Sequence, residues 1–163
     1  MLRHALLALA IATASVAAVI VPERSGERAR WRAPLIASDS VLGVFEGRTP
    51  CGTVATAFTG FPSQNCEKIK WRLTLYRHPV TGAPSSYRYE GTRTSHAGRW
   101  RSAAGTGPQG GRTIHHLTPD GASAPLSVLS IEDKVLLILD RHGDLLVGDA
   151  SWSYVLNRIE PSR

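Results

Sequence analysis

The chain has no motif that would announce an enzyme. There is no GxSxG, no HExxH and no glycine-rich phosphate loop, and its Asp, His and Ser residues show no spacing that pairs them. Catalysis is therefore not expected. A helical pattern of useful length is also missing, which counts against a helical fold. With 163 residues the chain suits one ordinary domain and is too short for two comfortable ones. No recognition helix or arginine-rich arm is visible, so nucleic acid is not an expected partner. No cysteine closely follows the apolar N-terminal run, and nothing there supports a lipid-bearing N-terminus.

Glycine and proline are plentiful, with fifteen and ten residues, and favour a turn-rich all-β chain. The strongest local signal is Cys66 to Arg77. Ile69, Trp71, Leu73 and Leu75 alternate with Lys68, Lys70, Arg72 and Thr74, the period of a strand with one buried and one wet face. A helix would scatter the same four apolar residues around its circumference. Further short strands are read at Val41–Phe45, Tyr87–Thr94, around Trp100, at Thr113–Leu117, Leu126–Ile131 and Lys134–Asp140. A return leg follows from Leu145 to Val147, and a last strand spans Ser151–Arg158 with Trp152, Tyr154 and Leu156 on one face. Turns are expected at His78–Pro84, Ser95–Gly98, Glu132–Asp133 and Arg141–Asp144. Gly52–Asn65 reads as a loop, small and polar apart from Phe58 and Phe61, which are expected to bury against the domain, with covering a barrel mouth or touching a partner as the alternatives. The series suggests a sandwich or a closed barrel, and an antiparallel up-and-down barrel of about eight strands is favoured because closure leaves no edge strand.

Met1–His4 is a short basic start, and Ala5–Val21 an apolar run free of charge. Residues 1–21 are expected to be a secretory signal peptide, with an uncleaved membrane anchor as the alternative. Residues 22–39 read as a flexible linker and 40–159 as the domain. A secreted or periplasmic protein of the cell envelope follows. The formal charge is +6, and between Ser40 and Arg158 thirteen Lys or Arg face nine Asp or Glu, a mildly basic surface suited to solubility or an anionic membrane.

Cys51 and Cys66 are the first candidate site. In an exported chain two cysteines normally pair, and a structural disulfide closing a loop of this size is worth about 3 kcal/mol in the chain-entropy model. A labile, redox-reporting disulfide and a copper(I) site of soft thiolates are the sharper readings. Met1, the sole methionine, goes with the leader and cannot assist copper. Trp71, Trp100, Trp152, Tyr87 and Tyr154, with Tyr89, are candidates to share one interior. They either pack it or line a pocket for a small apolar ligand. His115 and His116 are adjacent on a strand and must point to opposite faces. His142 sits in a turn beside Asp140 and Asp144, residues that turns attract in any case.

The order of several motifs resembles the N-terminal domain of the NlpE family, bacterial envelope proteins linked to copper resistance. The resemblance runs through Gly43-Val44-Phe45-Glu46-Gly47-Arg48-Thr49-Pro50-Cys51, Cys66-Glu67-Lys68-Ile69 and the strand Lys70–Tyr76. It continues through Gly98-Arg99-Trp100 and Leu136–Asp140 to Tyr154-Val155-Leu156-Asn157-Arg158, most of residues 41 to 158. It implies a lipocalin-like barrel in the envelope, acting in copper tolerance or envelope-stress sensing, with an envelope protein as partner. In that family a CxxC pair follows the first strand. Here Cys51 and Cys66 stand at the two positions with fourteen residues between them. A carrier of a small apolar ligand and a structural interaction module are the alternatives.

Overall fold

The alternation along Ile69–Leu75 is kept in three dimensions. Ile69, Trp71, Leu73 and Leu75 are all buried, while Lys70 and Arg72 face solvent. The computed structural model describes residues 39–160, and the expected leader with all but the last residue of the linker lies outside them. Eight strands follow one another around a closed antiparallel barrel. They are β1 (Ser40–Thr49), β2 (Ile69–Arg77), β3 (Pro84–Glu90), β4 (Ser95–Ala104), β5 (Thr113–Pro119), β6 (Leu126–Ile131), β7 (Val135–Ile138) and β8 (Val155–Ile159). Each strand pairs with its neighbour in sequence, and β8 closes on β1 through Val44–Ile159, Phe45–Arg158 and Glu46–Asn157. Every strand thus has two partners and no ladder edge is left open.

A barrel of eight strands has an interior just wide enough for side chains to fill. One cluster fills it, built from Phe45, Trp71, Leu73, Tyr87, Tyr89, Trp100, Leu117, Val128, Leu136 and Leu156 among others. Glycine makes one close approach possible. Gly47 lies so near the Val155 carbonyl and Leu156 of β8 that a side chain there would meet both. A second, smaller cluster of Ile114, Leu129 and Leu139 lies on the outer wall over β5, β6 and the end of β7.

Four local expectations are corrected. The segment after Cys51 is not all loop, because Thr53–Thr59 forms one short helix, α1. Ser95–Gly98 is the start of β4 rather than a turn. The chain turns earlier, where the Gly91 N–H donates to the Thr94 carbonyl at 2.8 Å, and β3 accordingly stops at Glu90. Leu145–Val147 forms no strand and contributes a single bridge from Leu145 to Leu139. The last strand begins at Val155 rather than Ser151. Asp149 Oδ1 accepts the N–H groups of Ser151 and Trp152, each at 2.8 Å, and so holds this stretch in a turn that competes with the ladder. The turn at Glu132–Asp133 is as expected, with both residues at positive φ, 48° and 54°.

Candidate functional site

The two cysteines are joined. Cys51 and Cys66 form a disulfide across a Cα–Cα distance of 6.0 Å, and it brackets α1. Seven residues make too short a helix to stand alone. Three are threonines, which favour helix weakly. Packing must therefore hold α1 in place, and Phe58 supplies it. Its side chain is fully buried inside one end of the barrel. It stacks on Trp71 at 5.6 Å between ring centroids with the planes 7° apart, and it meets Tyr87, Tyr89 and His96 at other angles. Gly60 ends the helix in the left-handed conformation, with φ of 65° and its N–H donating to the Thr56 carbonyl. The helix is thus a plug, clamped by a disulfide at its base and anchored by one aromatic ring.

Wall and plug are tied by polar contacts as well. His96 Nε2 lies 2.8 Å from the Phe58 carbonyl oxygen. A carbonyl only accepts, so Nε2 carries the proton and donates. Nδ1 is then the acceptor for the Tyr87 hydroxyl at 3.3 Å. The Ala124 N–H donates to the Ala57 carbonyl at 3.0 Å, and Tyr154 packs its hydroxyl against Gly52 at the start of the helix. Burial lowers the pKa of His96 from its ordinary 6.5, against the opposing effect of the Phe58 carbonyl. Burial likewise raises the phenols of Tyr87, Tyr89 and Tyr154.

The aromatic candidates divide. Trp71, Trp100, Tyr87 and Tyr154 lie together in the buried interior cluster. Trp152 does not join them. It stands on the outside, with the Lys68 ammonium 4.9 Å from its ring centroid. The interior polar tips find partners within the protein. Trp71 Nε1 donates to Thr49 Oγ1 at 2.9 Å, Trp100 Nε1 to the Tyr76 carbonyl at 2.7 Å, and the Tyr89 hydroxyl to the Lys70 carbonyl at 3.3 Å. His115 and His116 do point to opposite faces, each bonded through Nδ1 to a serine hydroxyl at 2.9 Å, Ser102 and Ser127 respectively. Asp140 accepts the N–H groups of His142 and Asp144 at 2.7 and 2.9 Å, so this acidic turn is organised by its own backbone. Among the described residues no three His, Cys, Asp or Glu side chains come together as a metal-holding group.

Two clefts among the described residues lie on the outer wall. One, of about 790 Å³, runs from α1 past His116 and Leu139 to the turn at His142. The other, of about 770 Å³, lies over β1 and β2, with Arg48, Lys70 and Trp152 among its walls. Burial of Phe58 against the domain is among the readings of the sequence, whereas the helix that carries it, His96 and the outward position of Trp152 are not. Gly52 and Gly60, bracketing seven residues that end on Phe58 and Thr59, are the signal that could have located the helix. For His96 there is no local signal.

The fold and site define a class: an eight-stranded up-and-down barrel stoppered at one end by a disulfide-clamped helix. No family model, curated protein or solved structure matches this chain. The resemblance to the NlpE family therefore rests on the motifs quoted above.

Proposed function

We propose that this chain is a non-catalytic, exported protein of the cell envelope that senses its oxidising state through the Cys51–Cys66 pair, in the manner of an NlpE-like stress or copper-tolerance protein. The observation that carries this reading is the placement of the disulfide. It closes the loop bearing α1, and α1 carries the ring that stoppers the barrel. Cleaving the bond frees the base of a helix too short to persist alone, and Phe58 becomes the only large apolar anchor of that helix. The chemical event at two sulfurs is thereby converted into movement of an aromatic plug, a form a partner protein can read. Copper(I) enters only through the reduced form, because bonded sulfurs offer no thiolate.

The test is redox titration of the full chain while Trp71 emission and near-ultraviolet circular dichroism are followed, beside an envelope-stress reporter in cells carrying Cys51→Ser. Loss of the Phe58–Trp71 stack on reduction, together with a reporter that no longer responds in the variant, is the expected pair of results. A reduced protein with unchanged aromatic signals and a normally responding variant would make the disulfide purely structural. The carrier reading is less well supported. Phe58 and the interior aromatics occupy the plugged end, and their polar tips are already bonded.

A further inference from the structure

On the outer wall, β1 and β2 carry a regular set of charges. Glu46 lies directly across from Arg72, and Arg72 directly across from Glu90. This rung is self-neutralised, since Arg72 pairs with both acids and Arg88 also holds Glu90 at 3.0 Å. The next rung is different. Arg48 lies directly across from Lys70, two cations face to face on one ladder position. Both are exposed, and among the described residues neither has a carboxylate partner. Like charges directly opposite destabilise a sheet. The pair sits in the cleft of about 770 Å³, where three cations meet two acids that are already paired, so the positive excess falls on this rung. Trp152 forms another wall, set there by the Asp149 turn, with Ser151, Ser153 and Asn157 beside it.

We propose that this cleft binds a phosphorylated sugar, with the phosphate held between Arg48 and Lys70 and the sugar ring lying against Trp152. A phosphate dianion is the ligand that relieves two facing cations, and arginine suits its geometry as a fork of donors. An aromatic face beside neutral hydroxyl and amide groups suits a ring that is apolar on its face and polar at its rim. The chemistry is shared by a soluble sugar phosphate and by the phosphorylated headgroup of a glycolipid. The cleft uses neither sulfur of the disulfide, so this site stands whether or not the redox reading does.

Calorimetry on the full chain with glucose 1-phosphate, glucose and inorganic phosphate tests it. Saturable binding of glucose 1-phosphate is expected, tighter than that of phosphate, with glucose alone not detected, and weakening as salt is added. Arg48→Gln with Lys70→Gln should weaken it by roughly tenfold or more, and Trp152→Ala should bring glucose 1-phosphate down to the affinity of phosphate. Both basic residues are exposed, so the double variant should stay folded, and its melting temperature should be equal or higher because the like-charge rung is gone. Flotation with phosphatidylcholine vesicles, with and without a phosphorylated glucosamine lipid, separates the two sources. Capture only by the doped vesicles, lost in the double variant, assigns a glycolipid, and binding of the free sugar phosphate without capture assigns the soluble ligand. No saturable binding in either assay, or binding that survives the double variant, overturns the site. Equal affinity for phosphate and glucose 1-phosphate in the native protein overturns the sugar part of it.

Discussion

His96 touches the plug with one ring nitrogen and the wall with the other, and its neutral form is the one that fits. The groups facing it are Phe58 from α1 and Tyr87 and Tyr89 from β3, none of them charged. With its folded pKa held below 6.5 by burial, the unfolded chain takes up a proton first as the pH falls. Stability is therefore lost from about pH 6.5 downward, and His115 and His116, whose pKa values burial also lowers, act in the same sense. Urea unfolding at about pH 5 should show a lower midpoint than at about pH 7.5, and His96→Gln should flatten part of that slope. A variant with an unchanged slope would show that His96 is not a contributor. Gly52 offers a second test at this scale. A Cβ there would collide with the Tyr154 hydroxyl, so Gly52→Ala should cost about 1–3 kcal/mol, and adding Tyr154→Phe should recover part of it. An additive pair would mean that the two residues do not meet.

At the scale of the element, α1 depends on its two attachments. Removing the ring by Phe58→Ala leaves a hole among Trp71, Tyr87 and Tyr89 and should cost about 3–5 kcal/mol by chemical denaturation. Removing the clamp by Cys51→Ala with Cys66→Ala should cost about 3 kcal/mol. Amide exchange then distinguishes their effects. In the cysteine variant protection should fall first at the amides of α1, such as Thr56 and Gly60, while the β2–β3 ladder keeps its own. Equal loss throughout the chain would mean that plug and barrel unfold as one unit. The strand reading of Cys66–Arg77 succeeded over Ile69–Arg77, where a packed face imposes alternation, and not over Cys66–Lys68, which precede the ladder. The helix was missed because threonine-rich local propensity opposes it and only burial of Phe58 favours it.

Over the whole molecule, the strands differ in how firmly they are held. The seam is made by β7 and β8, four and five residues long, and β8 meets β1 over three residue pairs. By contrast β1 and β2 pair along nearly their whole length, from Ser40–Arg77 to Thr49–Ile69. Native-state exchange should therefore open the β7–β8–β1 seam at lower free energy than the β1–β2 ladder. Uniform protection around the barrel would contradict this.

Sequence alone determined the class of fold and most of its strands. Period-two alternation, frequent Gly and Pro turns and the lack of any long amphipathic helix are local properties, and they admit a sandwich or a closed antiparallel barrel, between which the β8–β1 pairing decides. It also set the cysteines apart, since there are two in the chain and each has the other as its possible partner. What the tertiary structure decided is where equivalent-looking residues ended up. Trp71 and Trp152 look alike in sequence, yet one is stacked inside and the other stands in an outer cleft, because a side chain of Asp149 turns the chain just before β8 begins. Arg48 and Lys70 lie far apart along the chain and meet only through β1–β2 register. His96 gained its role from a carbonyl on a helix that local propensity disfavours. Register, closure and plugging depend on contacts between residues remote in sequence, which no short window of the chain contains.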